Sequence, residues 1–345
     1  LAPFSLRGLA DGYAASDAGI GALAMVELPD QSFLVSAGSL RNEVFKYGKD
    51  GGHNTTPLFT LDAPVLDMAV DGVGQLWVMA GSELLQVDAD SGAVVRRMSG
   101  PGQDPLTHAL AIQPGSGDIY VSSGNGIEIF RPNETDPAKA WKHFSNQRVG
   151  DLAFGPDGRL WAVVWSGTKI TASEPNGTTD IVSFPMSGRT VGRAELEYRL
   201  SGVIDSIAFG AAGSELDGLL VASSNLRQRP VLADGTSDVP HQTSVWMIEL
   251  QSKRVLQVAS GGTVGEGIVT TADGRILVAQ TGHVDEIAPI HAPHVTAVSV
   301  PDGALLPLPA GQVAVMFDQA MWLGAATGDD SSVLDPQNFT FTALG

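Results

Sequence analysis

Cysteine is absent from the 345-residue chain. That excludes disulfide staples, thiolate zinc sites and a thiol nucleophile, so the fold must be held by its core alone. Basic residues are scarce: 20 Lys and Arg stand against 38 Asp and Glu, a formal net charge of −18. A chain this acidic repels phosphate backbones and anionic lipid, and no Lys/Arg cluster with interleaved aromatics offsets it. A nucleic-acid partner is therefore not expected. No apolar run reaches 18 residues, so no membrane insertion is expected either. The chain carries no Gly-x-Ser-x-Gly elbow, no phosphate-binding loop, no Gly-x-Gly-x-x-Gly and no long helical periodicity. It opens on Leu1 without a basic region ahead of an apolar one, and reads as a mature or excised fragment without its targeting signal.

What is present is glycine (41), proline (20) and enough hydrophobic residues (43%) for a substantial core. These suit many short strands joined by tight turns. A phrase recurs: an apolar-Ala-apolar strand, a turn with Gly or Asp, then a second strand with an aromatic or Leu near its centre. It reads Asp67-Met68-Ala69-Val70 then Leu76-Trp77-Val78, and Ala109-Leu110-Ala111-Ile112 then Ile119-Tyr120-Val121. It returns as Asp151-Leu152-Ala153-Phe154 then Asp157-Gly158-Arg159-Leu160-Trp161. Looser copies centre on Ala208 and Val269, and the first copy on Ala24. The anchors Ala24, Ala69, Ala111, Ala153, Ala208 and Val269 are 45, 42, 42, 55 and 61 residues apart. A period near 40–50 residues of strands and turns is the signature of propeller blades. The two longer spacings are assigned to an added segment at Arg189 to Arg199 and a loop from Asn225 to Thr243. The Asp-Gly pairs at 157–158 and 273–274 fit tight hairpins, which need positive φ. Trp77, Tyr120 and Trp161 are placed between neighbouring blades. The sixth copy is short, and the stretch near Phe4 to Leu9 is expected to supply its outer strand and close the ring.

The expected fold is thus all-β: a six-bladed β-propeller, give or take one blade, over residues 1–290, followed over 291–345 by part of an Ig-like β-sandwich. Phrases such as Ala153-Phe154-Gly155-Pro156-Asp157-Gly158-Arg159-Leu160-Trp161 resemble NHL-repeat and gluconolactonase-type propellers. The later stretch carries Val298-Ser299-Val300-Pro301-Asp302-Gly303, Val315-Met316-Phe317-Asp318 with Met321, and Asn338-Phe339. It resembles the Ig-like domain of bacterial surface-layer and other large surface proteins. That resemblance implies one segment of a long, multi-domain secreted or cell-surface bacterial chain.

Five polar residues precede the anchors: Asp67, His108, Asp151, Asp205 and Glu266. On aligned blades they would lie near the axial end of the innermost strands and line the channel. Converging carboxylates with one His could hold Ca²⁺ or a similar hard cation. In the gluconolactonase-like family the Glu of a Glu-Gly pair is a metal ligand. The resemblance carries that role onto Glu266, beside Gly267, with Asp205 the best match for a further ligand; the family's two Asn ligands have no counterpart here. The bland reading is a solvated channel lining. His291-x-x-His294, without a nearby Glu, reads as a linker with surface histidines. Asp88-Ala89-Asp90-Ser91-Gly92 reads as a turn, since position 99 is Ser where a calcium loop needs Glu.

Two functional classes follow. One is a non-enzymatic propeller module of a large secreted or surface protein, serving as scaffold or as a protein or glycan contact, with neighbouring domains of a longer chain as further partners. It extends to a structural part of a giant adhesin or toxin-like chain. The other is a metal-dependent lactonase, hydrolase or lyase acting in the channel.

Overall fold

Alternation of side chains along short strands lets each strand bury two faces, and the second strand of every repeat uses both. In the computed structural model, Phe33–Ala37, Leu76–Ala80, Ile119–Ser123 and Leu160–Val164 are buried at every position. Such strands have sheet neighbours at both edges and other sheets on both faces. The structure describes residues 4–17, 19–100, 102, 105–164, 178–187, 190–201, 203–225, 243–263, 265, 267–290, 295–299 and 314–317. The chain divides into two units, Phe4–Pro289 and a second formed by Ile290–Gly345 with Leu1–Pro3.

The first unit is a six-bladed β-propeller. Each of the first five blades is a four-stranded antiparallel sheet in chain order, spanning Met25 to Thr60, Val65 to Met98, Leu106 to Ser145, Asp151 to Ser201 and Ile204 to Gly262. The sixth blade takes Ile268–Thr270, Ile276–Ala279 and His283–Pro289 from the end of the unit, and its fourth strand, Phe4–Asp11, from the beginning. Phe4 pairs with Pro289 and Asp11 with His283, so the N-terminal strand closes the ring as its incompleteness in the sequence implied. A short segment, Gly52–His53 of blade 1, then adds in parallel to Ala10–Asp11.

Six apolar clusters fill the six junctions between blades. Trp77 of blade 2 packs with Leu106, Leu110 and Phe130 of blade 3. At the same place in the repeat, Tyr120 packs with Val149, Leu152 and Leu160 of blade 4, and Trp161 with Ile204, Ile207 and Ile248 of blade 5. Leu34, Val221 and Leu277 take this role in the remaining blades. Each blade therefore supplies one wall of two cores, and no blade has a core of its own. The junction core, not the blade, is the unit that burial stabilises.

The register corrects three readings of the sequence. Met25 pairs with Val35 as Met68 pairs with Val78, so the anchor of blade 1 is Val26 and not Ala24. The stretch at 189–199 is no added segment before blade 5: Glu195–Ser201 is the outer strand of blade 4, preceded by a small hairpin that pairs Met186–Ser187 with Thr190–Val191. The four candidate channel residues among the described residues also occupy two positions of the repeat rather than one. Asp67 and Asp151 are equivalent, while His108 and Asp205 each lie one residue earlier. Gly158 and Gly274 have φ of 73° and 86°, as their Asp-Gly turns require. Asp88 Oδ1 accepts hydrogen bonds from the backbone N–H groups of Asp90 and Ser91, making the 88–92 stretch a turn between outer strands.

In the second unit, the described residues form one antiparallel pair, Val295–Val298 with Val315–Phe317. Ala314 N–H donates to Ser299 Oγ at 2.8 Å beside it. The rest of the Ig-like reading, including Asn338-Phe339, and the His291-x-x-His294 pair lie outside the described residues. So does most of the 225–243 loop.

Candidate functional site

The innermost strands begin where the blades converge, and their first backbone N–H groups have no ladder partner on the axial side. These donors need acceptors. Asp67, on the inner strand of blade 2, accepts from its neighbour Met68 at 2.7 Å through Oδ1 and from Leu110 N–H of blade 3 at 2.6 Å through Oδ2. Asp151, on the inner strand of blade 4, repeats the pattern. It accepts from Leu152 N–H at 2.8 Å and from Ile207 N–H of blade 5 at 2.6 Å. The equivalent residue of blade 5 is Ser206, whose Oγ accepts from Ile268 N–H of blade 6 at 3.4 Å. Blades 1 and 3 place Ala24 and Ala109 at this position, and a serine on the second strand substitutes. Ser36 Oγ accepts from Ala24 N–H, and Ser122 Oγ from both His108 and Ala109 N–H. The polar residues near the axis thus tie the inner-strand backbones, within a blade or across to the next.

Electrostatics distinguishes the two aspartates from surface carboxylates. Asp151 is 8% exposed. Burial pushes its pKa up to about 6, against the downward pull of hydrogen bonds from Ile207, Ser206 and Leu152. Asp67 is half-buried at the start of its inner strand. Burial and then the charge of Asp151 raise its pKa well above the carboxylate range. The pair therefore shares one electrostatic environment across the intervening blade 3. His108 lies on the inner strand of that blade, where burial and the charge of Arg41 lower its pKa. Asp205 is half-buried at the start of the inner strand of blade 5. Glu266 lies outside the described residues.

Among the described residues, no three of His, Asp and Glu converge closely enough to hold a metal ion. Asp67 and Asp151 each commit both oxygens to backbone N–H groups, which fixes the two carboxylates between adjacent blades. The sequence pattern found these two aspartates. It could not find Ser36, Ser122 and Ser206, because serine on a strand carries no signal until the register is known.

A second polar assembly joins blade 6 to the N-terminal strand and to blade 1. Glu286, 3% exposed, accepts from Arg7 Nε and from Arg275, each at 2.7 Å. Arg275 also meets Asp273 at 2.9 Å and donates to the backbone carbonyl of Lys49. Lys49 Nζ in turn lies 2.9 Å from Asp273. Three chain segments far apart in sequence are clasped at the point where the ring closes.

No known protein-family model matches the chain, and no curated protein matches it by sequence. Solved structures do match, through the propeller. Virginiamycin B lyase from Staphylococcus aureus is 14% identical with a TM-score of 0.51, over 84% of this chain and all of the other. A glucose dehydrogenase is 12% identical with a TM-score of 0.53, again over 84% and 100%. A chain of the mitotic checkpoint complex is 12% identical with a TM-score of 0.51, over 84% and 94%. At such identities the likeness is one of fold, and this fold is shared by enzymes and by a checkpoint component alike.

Proposed function

We propose that the chain is a non-enzymatic propeller module of a larger secreted or cell-surface bacterial protein, a rigid scaffold for protein or glycan contact. One observation carries this reading: Asp67 and Asp151, the two equivalent channel carboxylates, each accept backbone N–H groups through both oxygens and so hold neighbouring blades together. The Ig-like pattern after residue 291 supports the larger setting, and the antiparallel pair at 295–298 and 315–317 fits the start of such a sandwich. The propeller of a giant adhesin or toxin-like chain would be one instance of the same reading.

The competing reading is a metal-dependent lactonase, hydrolase or lyase centred on Glu266 and Asp205. Thermal unfolding of chelator-treated protein, with and without millimolar Ca²⁺, separates the two. The expected result is an unchanged midpoint. A functional channel site at 100 times its Kd would add about 2.7 kcal/mol of stability. A shift of that size that disappears in Glu266→Ala would overturn the scaffold reading in favour of the enzyme.

A further inference from the structure

Between blades 3 and 4 lies a cleft of about 520 Å³, lined by Phe144, Asn146, Gln147, Phe184 and Arg193 among others. This volume is within the range of small-molecule sites. Phe144 forms its apolar wall, backed by the buried Phe184 in an edge-to-face arrangement with ring centroids 5.5 Å apart. Arg193 is exposed at the cleft and has no carboxylate partner among the described residues. Most other arginines near the blades are paired: Arg7, Arg97, Arg131, Arg159, Arg199 and Arg275 each meet an Asp or Glu. Arg193 is thus an exposed guanidinium at the edge of a cleft with an aromatic wall, in a chain of charge −18.

Beside the cleft runs a relay that starts at a buried carboxylate and ends at the solvent-facing His143 and Asn146. Glu128, 5% exposed, accepts from Ser123 Oγ at 3.1 Å, and its Oε1 lies 3.0 Å from His143 Nδ1. Its Oε2 is buried with no hydrogen-bond partner. His143 Nε2 lies 2.9 Å from Asn146 Oδ1. Gly126 sets the backbone that makes this possible: its φ is 132°, and a Cβ there would collide with the Ser145 carbonyl oxygen. The groups facing the imidazole are one charged residue, Glu128, and the neutral side chain of Asn146, with Ser123 behind Glu128. The hydrogen bond to Glu128 holds the His143 pKa above its ordinary value, against the opposing effect of burial.

The chemistry of this relay is directional. A protonated imidazole donates from both nitrogens, to Glu128 and to Asn146 Oδ1, which leaves the Asn146 amino group on the side away from the ring. A neutral imidazole that still donates from Nδ1 to Glu128 presents a lone pair at Nε2. Asn146 must then turn its amino group to the ring and leave its carbonyl on the other side. The proton on His143 therefore decides whether Asn146 offers the cleft a donor or an acceptor.

We infer that the cleft between blades 3 and 4 is a binding site for a small cyclic carboxylate, its anion held by Arg193 and by the Asn146 amino group, and that His143 gates it. The ring of such a ligand packs on the half-buried Phe144, and Arg193 matches a carboxylate in a two-point fork. Binding is favoured on the acid side of the His143 titration and weakened above it. The site lies outside the channel and stands independently of the scaffold reading.

Isothermal titration with sodium benzoate at pH 5.5 and pH 8.5 tests this on the full chain. The expected result is binding at pH 5.5, at least tenfold weaker at pH 8.5, and lost at both in Arg193→Gln. Because the whole protein also becomes more negative with pH, Asn146→Ala is the control: it should keep weak binding and lose most of the pH dependence. His143 should also shift its imidazole NMR titration upward when benzoate is bound. Benzamide binding as tightly as benzoate, Arg193→Gln binding unchanged, or an Asn146→Ala variant with the full pH dependence would each overturn the proposal.

Discussion

Replacing Glu286 with alanine is expected to destabilise the propeller by roughly 2 kcal/mol, the cost of taking one of its two carboxylates from a buried arginine. The charge left behind is Arg275, 9% exposed and fixed by its bonds to Asp273 and to the Lys49 carbonyl. Arg7→Ala removes the other partner of Glu286, but that side chain is 56% exposed and its loss should cost less than about 1 kcal/mol. Urea unfolding of the two variants, with equal slopes, measures the contrast. Equal and small losses would mean that the clasp contributes little to closing the ring.

The same clasp sets an acid limit on the fold. Burial alone would raise the pKa of Glu286 and of Asp273. Hydrogen bonds from Arg7 and Arg275 outweigh it at Glu286, and those from Thr271, Arg275 and Lys49 outweigh it at Asp273, so both lie below their ordinary values. A depressed carboxylate binds fewer protons folded than unfolded, so its contribution is complete above the unfolded pKa and is lost as pH falls through the folded one. Stability should drop below about pH 4 in the native chain and less steeply in Glu286→Ala.

Trp77, Tyr120 and Trp161 were legible in the sequence because the fold uses them identically: each second strand needs one large residue to fill the next junction. The ring closure by Phe4–Asp11 was legible for the opposite reason, a blade left one strand short. Elsewhere the local pattern misled. Ala24 matches the small-residue motif better than Val26 does, and only pairing with Leu34 shows which one faces the repeat's anchor position. The outer strand Glu195–Ser201 alternates Glu, Leu, Glu, Tyr, Arg and Leu, the pattern of a half-exposed edge, and carries no mark of the blade to which it belongs. The role of Asp67 and Asp151 was hidden too. A carboxylate before an apolar strand looks the same whether it faces a metal or an N–H group 43 or 56 residues away. The relay from Glu128 to Asn146 has no sequence signature, since which residues of the two adjacent strands face each other is known only from their register.

Asp151 gives the sharpest test of the structural role assigned to the channel carboxylates. Asp151→Ala strips the acceptor from Leu152 and Ile207, two buried residues on the inner strands of blades 4 and 5. Each orphaned N–H costs about 1–3 kcal/mol, so the variant should lose roughly 2–6 kcal/mol at neutral pH. The pH dependence has the opposite sign to that of the clasp. With a folded pKa of about 6 against an ordinary value of 3.8, the native state binds more protons between those limits. Stability therefore falls as pH rises through that window, by about 3 kcal/mol for a shift of about two units. Asp151→Asn cannot titrate and keeps one acceptor oxygen. Its unfolding free energy, measured in urea from pH 4 to pH 7, should run flatter than that of the native chain. A native curve with no decline across this window would mean that water reaches Asp151 as freely as it reaches the surface. A decline that persists in Asp151→Asn would instead assign the titration to Asp67, which shares the same channel.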